Sequence, residues 1–379
     1  MMHICHIAMG HRPYDERIYY KQCWSLRNWA EQVTIIAREH DESADRYPEI
    51  QIRHFKPSGS LQKDLQRIKQ ISLESQADIY HLHEPELLLL LPSLRRKTGA
   101  AVIYDMHEPT PEVVWDFSHA AGYKRLPLAL IYGVGERIAL PHLDGAIFTS
   151  KTLYNQLHHS VRQSTIIYNF PRLDLFSSPH SPSSKEFTIV YIGQIARPRG
   201  ILQLLAGFHH WYRQGQQGRL HLVGRIQPPE FRPTLEHYIK RYRISHAVRI
   251  SESLPHNEIP ELLSRASVGI MALLPIPSFR KSVQLKTFEY MSAGLPVIAG
   301  NYPSAHQFVG SQKAGIILED TTPQTIADAL RYLYTHPEAR RKMGRRGQKA
   351  VRERWNWSAM DKRLRQFYLT VSARKSHRR

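Results

Sequence analysis

The hydrophobic and polar positions sort the chain into short strands and amphipathic helices. Residues 3–8 alternate and are rich in β-formers, which predicts a first strand. The turn Met9-Gly10-His11-Arg12-Pro13 follows. Asp15 is placed to cap a helix running to Glu31, with Ile18, Cys23, Leu26 and Ala30 on its inner face. Residues 33–37 give the next strand. This β–turn–α–β opening is how doubly wound domains begin, and the turn after the first strand is where a ligand meets the sheet's carboxyl edge. Gly10 lets backbone approach a ligand closely there.

Strands are also expected at 78–83, 101–106, 146–149 and 165–168. Polar residues gather at their carboxyl ends. His81 and His83, two apart, share a strand face; His107 and Glu108 follow the next strand. His81, His83 and His107 are candidate metal ligands, but among 22 histidines some cluster by chance and no cysteine or third tight spacing joins them, so no metal is expected. Residues 111–140 are helical in tendency and carry Trp115, Phe117, Tyr123, Lys124 and Arg125. That mixture suits a membrane interface, and equally an ordinary helical face packed on its neighbour.

Residues 176–185 (FSSPHSPSSK) read as a linker, after which the pattern restarts. A strand at 187–192, a basic turn at 193–200 and a helix at 201–211 repeat the opening architecture. Strands at 220–223, 268–272 and 315–318 and a helix at 259–266 continue it. Three helices start at Pro323, Pro337 and Ser358, and the last ends in the basic tail ARKSHRR. The expected division is 1–176 and 177–357, two similar α/β domains.

The most informative stretch is 278–300, SFRKSVQLKTFEYMSAGLPVIAG. Ser282 sits where a helix N-cap is wanted. Leu285, Phe288 and Met291 form an apolar stripe, with Lys286, Glu289 and Tyr290 on other faces. Gly294 fits the left-handed stop, and residues 296–299 read as a buried parallel strand. A helix N-terminus favours a phosphate, Lys286 adds charge in the first turn, and Glu289 one turn on is placed to accept two ribose hydroxyls. The alternative is a surface helix with an internal Lys/Glu pair.

Composition narrows the classes. The 379 residues, 42% hydrophobic, are enough for two domains with a large core. A formal charge of +19 implies anionic company: phosphorylated substrate, acidic lipid or nucleic acid. Cys5 and Cys23 alone give no disulfide framework, which fits a reducing cytosol. The first ten residues are too short and polar for a signal peptide, and the longest apolar run, 87–91, is too short to span a bilayer. Membrane contact would be peripheral.

The motifs YDERIYYKQCWSLRNWAEQVTII, DIYHLHEP, VIYDMHE, IIYNFP, YIGQIARPRGI, LHLVG and KTFEYMSAGLPVIAG, in this order and spacing, resemble the retaining glycosyltransferases of family 4. The resemblance covers nearly the whole chain. It implies the α/β GT-B fold: two Rossmann-like doubly wound domains facing a central cleft, acceptor on the first and nucleotide-diphosphate sugar on the second, with residues 358–379 crossing back. It implies that Glu289 binds ribose, Arg199 the donor diphosphate, and that His107 lies near the transferred sugar, with Gly10 in the loop beside the diphosphate. Gly193, Gln194, Gly224, Lys281 and Ser282 fall in the implied donor site, and His83, Glu84 and Asp15 on the acceptor side.

Two positions depart from the family pattern. Lys281 stands where the first of two paired glutamates is usual, and Gln194 where a diphosphate-binding arginine is usual. Lys281 or Lys286 is expected to supply the missing cation. Arg199, Lys286 and helix-end amides would stabilise charge on the departing diphosphate, with no metal and no further cofactor required. The expected partners are a nucleotide sugar, UDP- or GDP-linked, and a glycan or polyprenyl-linked acceptor in polysaccharide or glycolipid synthesis. The expected place is the cytoplasm, at the inner face of the plasma membrane, where an anionic surface is available. A nucleotide-sugar epimerase of the same fold is the alternative. An NAD-dependent oxidoreductase fits poorly, because neither GQIARPRG nor MGHRPYDE keeps the central glycine of G-x-G-x-x-G. No binding module supports nucleic acid.

Overall fold

The computed structural model describes residues 2–39, 47–117, 122–176, 186–255 and 258–376. They divide into two compact units, Met1–Asn169 with Trp357–Arg379, and Phe170–Asn356. The chain passes between them at Asn169/Phe170 rather than after 176. The reason is aromatic packing: the Phe170 ring sits edge-on to Phe288 and Phe308 of the second unit, 4.7 and 5.9 Å between centroids. Most of the expected linker, 177–185, and the last three residues of the basic tail lie outside the described residues.

The first unit holds a seven-stranded parallel sheet of order β3-β2-β1-β4-β5-β6-β7. Its strands are β1 His3–Ala8, β2 Gln32–Arg38, β3 Ile50–Phe55, β4 Ile79–Leu82, β5 Ala101–Met106, β6 Gly145–Phe148 and β7 Ser164–Ile166. Helices cover a parallel sheet on both faces, so its central strands are continuous apolar runs. All six residues of β5 are buried, one of them the charged Asp105.

The capping expected of Asp15 is present: its Oδ1 accepts from the backbone N–H of Arg17 and Ile18 at 2.8 and 2.9 Å. The helix itself is shorter and wider than expected, a π-turn over Ile18–Cys23 running into Trp24–Leu26, not a helix to Glu31. The C-terminal helix, Trp357–Ser376, belongs to this unit. Trp357 donates to Ser25 Oγ at 2.8 Å, and a Cβ on Gly145 would come within 2.6 Å of Phe367.

The second unit holds a six-stranded parallel sheet of order β10-β9-β8-β11-β12-β13. Its strands are β8 Thr188–Ile192, β9 Arg219–Val223, β10 Val248–Ser251, β11 Val268–Met271, β12 Val297–Ala299 and β13 Gly315–Ile317. Counted from its own first strand, each sheet begins 3-2-1-4-5-6. In that order the winding reverses between the first and fourth strands, and ligands bind at the carboxyl edge there. In the first unit that point lies between β1 and β4; in the second, between β8 and β11.

Candidate functional site

At the switch point of the first unit, β1 runs into Met9, Gly10 and His11, and β4 runs into His83 and Glu84. The Glu84 carboxylate accepts from the backbone N–H of Met9, Gly10 and His11 at 2.9, 2.8 and 3.2 Å, and contacts His11 Nδ1 at 2.6 Å. The amides of the loop that carries Gly10 are therefore occupied by the protein's own anion. Burial works against a charged His11, but the bond to Glu84 and its charge outweigh it and raise the imidazole to about 8. Burial likewise disfavours the Glu84 carboxylate, and the bond to His11 wins and lowers its pKa.

Beneath this loop lies a buried polar cluster. Asp105 is clamped by Arg17, Nε to Oδ2 at 3.0 Å and Nη2 to Oδ1 at 2.9 Å, and by Gln22 Nε2 at 2.6 Å. Burial opposes its charge, but Arg17 overrides it and holds the carboxyl well below its ordinary range. His6 Nδ1 lies 2.9 Å from His83 Nε2, and His83 Nδ1 lies 2.9 Å from His107 Nε2. His81 Nδ1 meets the Tyr368 hydroxyl of the C-terminal helix at 2.6 Å. Burial lowers His81 to about 3 and pushes His6 and His83 well down, so these rings are neutral. Each neutral ring donates through one nitrogen and accepts through the other. The tautomers of His6 and His83 are therefore coupled through their shared bond.

His81, His83 and His107, the metal trio that the sequence argues against, do not form one ligand set among the described residues. His6, His81 and His83 form one group with donor atoms within 4.8 Å of each other; His83, Asp105 and His107 form another. A metal would have to break the 2.9 Å ring–ring bonds to use them. His107 keeps 16% of its side chain exposed, with Nε2 turned inward to His83 and 3.5 Å from Asp105 Oδ2. Its Nδ1 edge is the one left for a substrate. Asp105, Arg17 and Gln22 were missed in the sequence. The signal was there, a lone carboxylate in the apolar run AVIYDM, which must be paired if buried.

In the second unit, Gly193 and Gly224 end β8 and β9 against each other; a Cβ on Gly224 would lie 1.9 Å from the Gly193 carbonyl oxygen. Gln194 turns its amide to Gln227, Nε2 to Oε1 at 2.6 Å. Arg199 ends the 3-10 turn Arg197–Arg199 just before the Ile201–Arg213 helix. Its guanidinium lies over the Phe279 ring, 4.7 Å from the centroid, and Nη1 reaches Gln284 Oε1 at 3.5 Å. Its Nε is buried with no hydrogen-bond partner.

Gln284 is the N-cap of the Leu285–Ser292 helix, which puts Lys286 in the first turn and Glu289 one turn on. Ser282 is not the cap. Pro277 starts a short helix, Pro277–Lys281, and Ser282 closes it by donating to the Ser278 carbonyl at 2.7 Å. Lys281 is the last residue of that turn. The Leu285–Ser292 helix is also not amphipathic in place: Phe288, Glu289, Tyr290 and Met291 are all buried. Tyr290 accepts from the Ile192 N–H at 2.7 Å and so pins the helix to the end of β8. Gly294 stops the chain with φ +67°. Lys286 Nζ lies 2.9 Å from both oxygens of the buried Glu289, so the carboxylate expected to bind ribose and the cation expected to bind phosphate here neutralise each other.

The glycosyl transferases group 1 family matches residues 175–350. Among curated relatives, a D-inositol 3-phosphate glycosyltransferase of Corynebacterium diphtheriae is 24% identical over 159 residues, 41% of this chain and 36% of the relative. The chain thus aligns with little more than a third of that relative. Solved structures align over nearly the full length. The sucrose-phosphate synthase of Thermosynechococcus elongatus superposes with TM-score 0.79 at 19% identity, covering 98% of this chain and 100% of that one. HepE of Anabaena, solved with UDP and glucose, superposes with TM-score 0.76 at 15% identity, covering 98% and 100%. The chain carries the GT-B fold of two Rossmann-like sheets, and its residues 175–350 match the group 1 glycosyl transferases.

Proposed function

We propose that the protein moves a sugar from a nucleotide-diphosphate sugar to a hydroxyl of a glycan or lipid-linked acceptor, with retention of configuration and without a metal. The observation that carries this reading is Arg199. A half-buried arginine whose Nε is buried without a partner among the described residues, just beyond β8 and joined through Gln284 to the helix bearing Lys286 and Glu289, is a place prepared for an anion. Binding begins when ribose hydroxyls take Glu289 from Lys286. The released ammonium then turns to the diphosphate beside Arg199. Both cations stabilise the charge that grows on the leaving oxygen.

A diphosphate so held leaves without a general acid. On the acceptor side, His107 orients a hydroxyl through Nδ1, with its Nε2 held by His83. The group 1 family match and a neighbour solved with UDP support this reading.

A thermal-shift panel of UDP- and GDP-sugars and their free diphosphates tests it. One nucleotide is expected to raise the melting temperature of the parent and to leave Glu289→Ala unmoved, with EDTA changing neither result. Stabilisation of Glu289→Ala equal to the parent, or an epimer formed from donor alone, would overturn it.

A further inference from the structure

We propose that the outer face of the Gly122–Ala139 helix seats the first unit on a bilayer surface that carries anionic headgroups. Tyr123, Leu126, Leu130, Ile131, Val134 and Ile138 of this helix are each between 51% and 77% exposed. They recur every three or four residues, so they form one continuous ladder along the helix. Trp115, on the Thr110–Phe117 helix packed against this one, is 45% exposed, and Leu89, on the neighbouring Pro85–Leu90 turn, is 67% exposed. Large side chains gathered this densely mark an interaction surface.

The ladder is held outward. On the inner side Tyr132 donates to Glu86 at 2.5 Å, and Glu136 accepts from Tyr104 and Thr110, each at 2.8 Å. Turning the apolar face inward would break these buried bonds. The outer face is thus a fixed feature of the fold.

Charge identifies the occupant. Lys124, Arg125 and Arg137 are the charged residues of this helix apart from the buried Glu136; the packed helix that supplies Trp115 adds the half-buried Glu112 and Asp116, and the exposed Lys124 and Arg137 carry the attraction to anionic headgroups. An apolar ladder with cations at both ends matches a bilayer with acidic headgroups. It does not match a second copy: parallel or antiparallel, pairing this helix with itself sets cation against cation. With 18 residues and three cations it lies in the interface, and no described helix is long and apolar enough to cross a membrane.

The Thr110–Phe117 helix, which packs on this one and adds Trp115, begins three residues after His107 at the end of β5. On the reading given under Proposed function, which this last step rests on, the surface would bring a lipid-borne acceptor to that edge.

The test is co-flotation of the full chain with vesicles of phosphatidylcholine plus phosphatidylglycerol, and with phosphatidylcholine alone. The reading is independent of nucleotide binding or turnover. The parent is expected to float with the anionic vesicles and to come off as salt rises. Leu130→Gln/Ile131→Gln/Val134→Gln is expected to lose about tenfold in partitioning with an unchanged melting temperature. Lys124→Glu/Arg137→Glu is expected to lose about tenfold on anionic vesicles. Vesicle binding that ignores these changes, no binding at all, or a dimer in sedimentation that the triple variant dissolves would each overturn the proposal.

Discussion

The two sheets share a winding order and a switch point, yet their first loops are electrostatic opposites. In the first unit three backbone N–H groups at Met9 to His11 converge on Glu84, an anion the protein supplies itself. In the second, the loop after β8 ends in Arg199, whose Nε has no partner. The first unit has satisfied its charges internally: Arg17 by Asp105, His11 by Glu84. The second keeps an unsatisfied one. Topology therefore says where a ligand can sit, but the side chains decide which of two equivalent places takes the anion.

Removing a charge from each unit should break this comparison in opposite ways. Asp105→Ala leaves Arg17 buried and unpaired. It is expected to cost about 3–5 kcal/mol of stability in chemical denaturation. Arg199→Ala removes a cation that is not needed for folding. It is expected to change stability by less than ~1 kcal/mol but to weaken nucleoside diphosphate binding by about 2–3 kcal/mol, roughly 30- to 100-fold, in calorimetry. If Arg199→Ala unfolded the protein as readily as Asp105→Ala, the contrast would fail.

A smaller effect follows from His11. Its folded pKa is raised from 6.5 to about 8, so its contribution to stability is complete below pH 6.5 and is lost as pH rises through about 8. Because the ring is partly exposed, about 1 kcal/mol is expected rather than the full linkage value. Unfolding free energies across that window should fall for the parent and stay flatter for Glu84→Gln. Smallest is Gln194→Arg. The Gln194 amide now contacts only the exposed Gln227, so an arginine there should tighten free diphosphate binding by a few-fold without altering the melting temperature.

The central strands were legible because burial on both faces leaves an apolar run. β1 and β5 fall on residues 3–8 and 101–106 as expected. The edge strands β3 and β10 were not. Ile50–Phe55 and Val248–Ser251 mix charged and apolar residues because one side of each is open, and mixed short runs read as loop. The Leu61–Ser75 helix was passed over for the same reason, with few of its positions buried.

In the candidate site, Lys286 and Glu289 fall on one helix as the period predicts, and Arg199 lies against its N-cap residue Gln284. Ser282 was misread because Pro277 starts a helix one turn earlier, a matter of a single local choice. The Glu84 contact with the Met9–His11 loop spans more than seventy residues in sequence, and no local pattern announces it. The same holds for Tyr368 against His81, and for Arg17 against Asp105.

A crystal structure of the full chain with UDP or GDP bound is the most direct test. The account predicts the diphosphate on Arg199, pentose hydroxyls on Glu289, and Lys286 drawn off that carboxylate. A nucleotide lodged instead on the Met9–His11 loop, with Glu84 displaced and the Lys286–Glu289 pair intact, would contradict it.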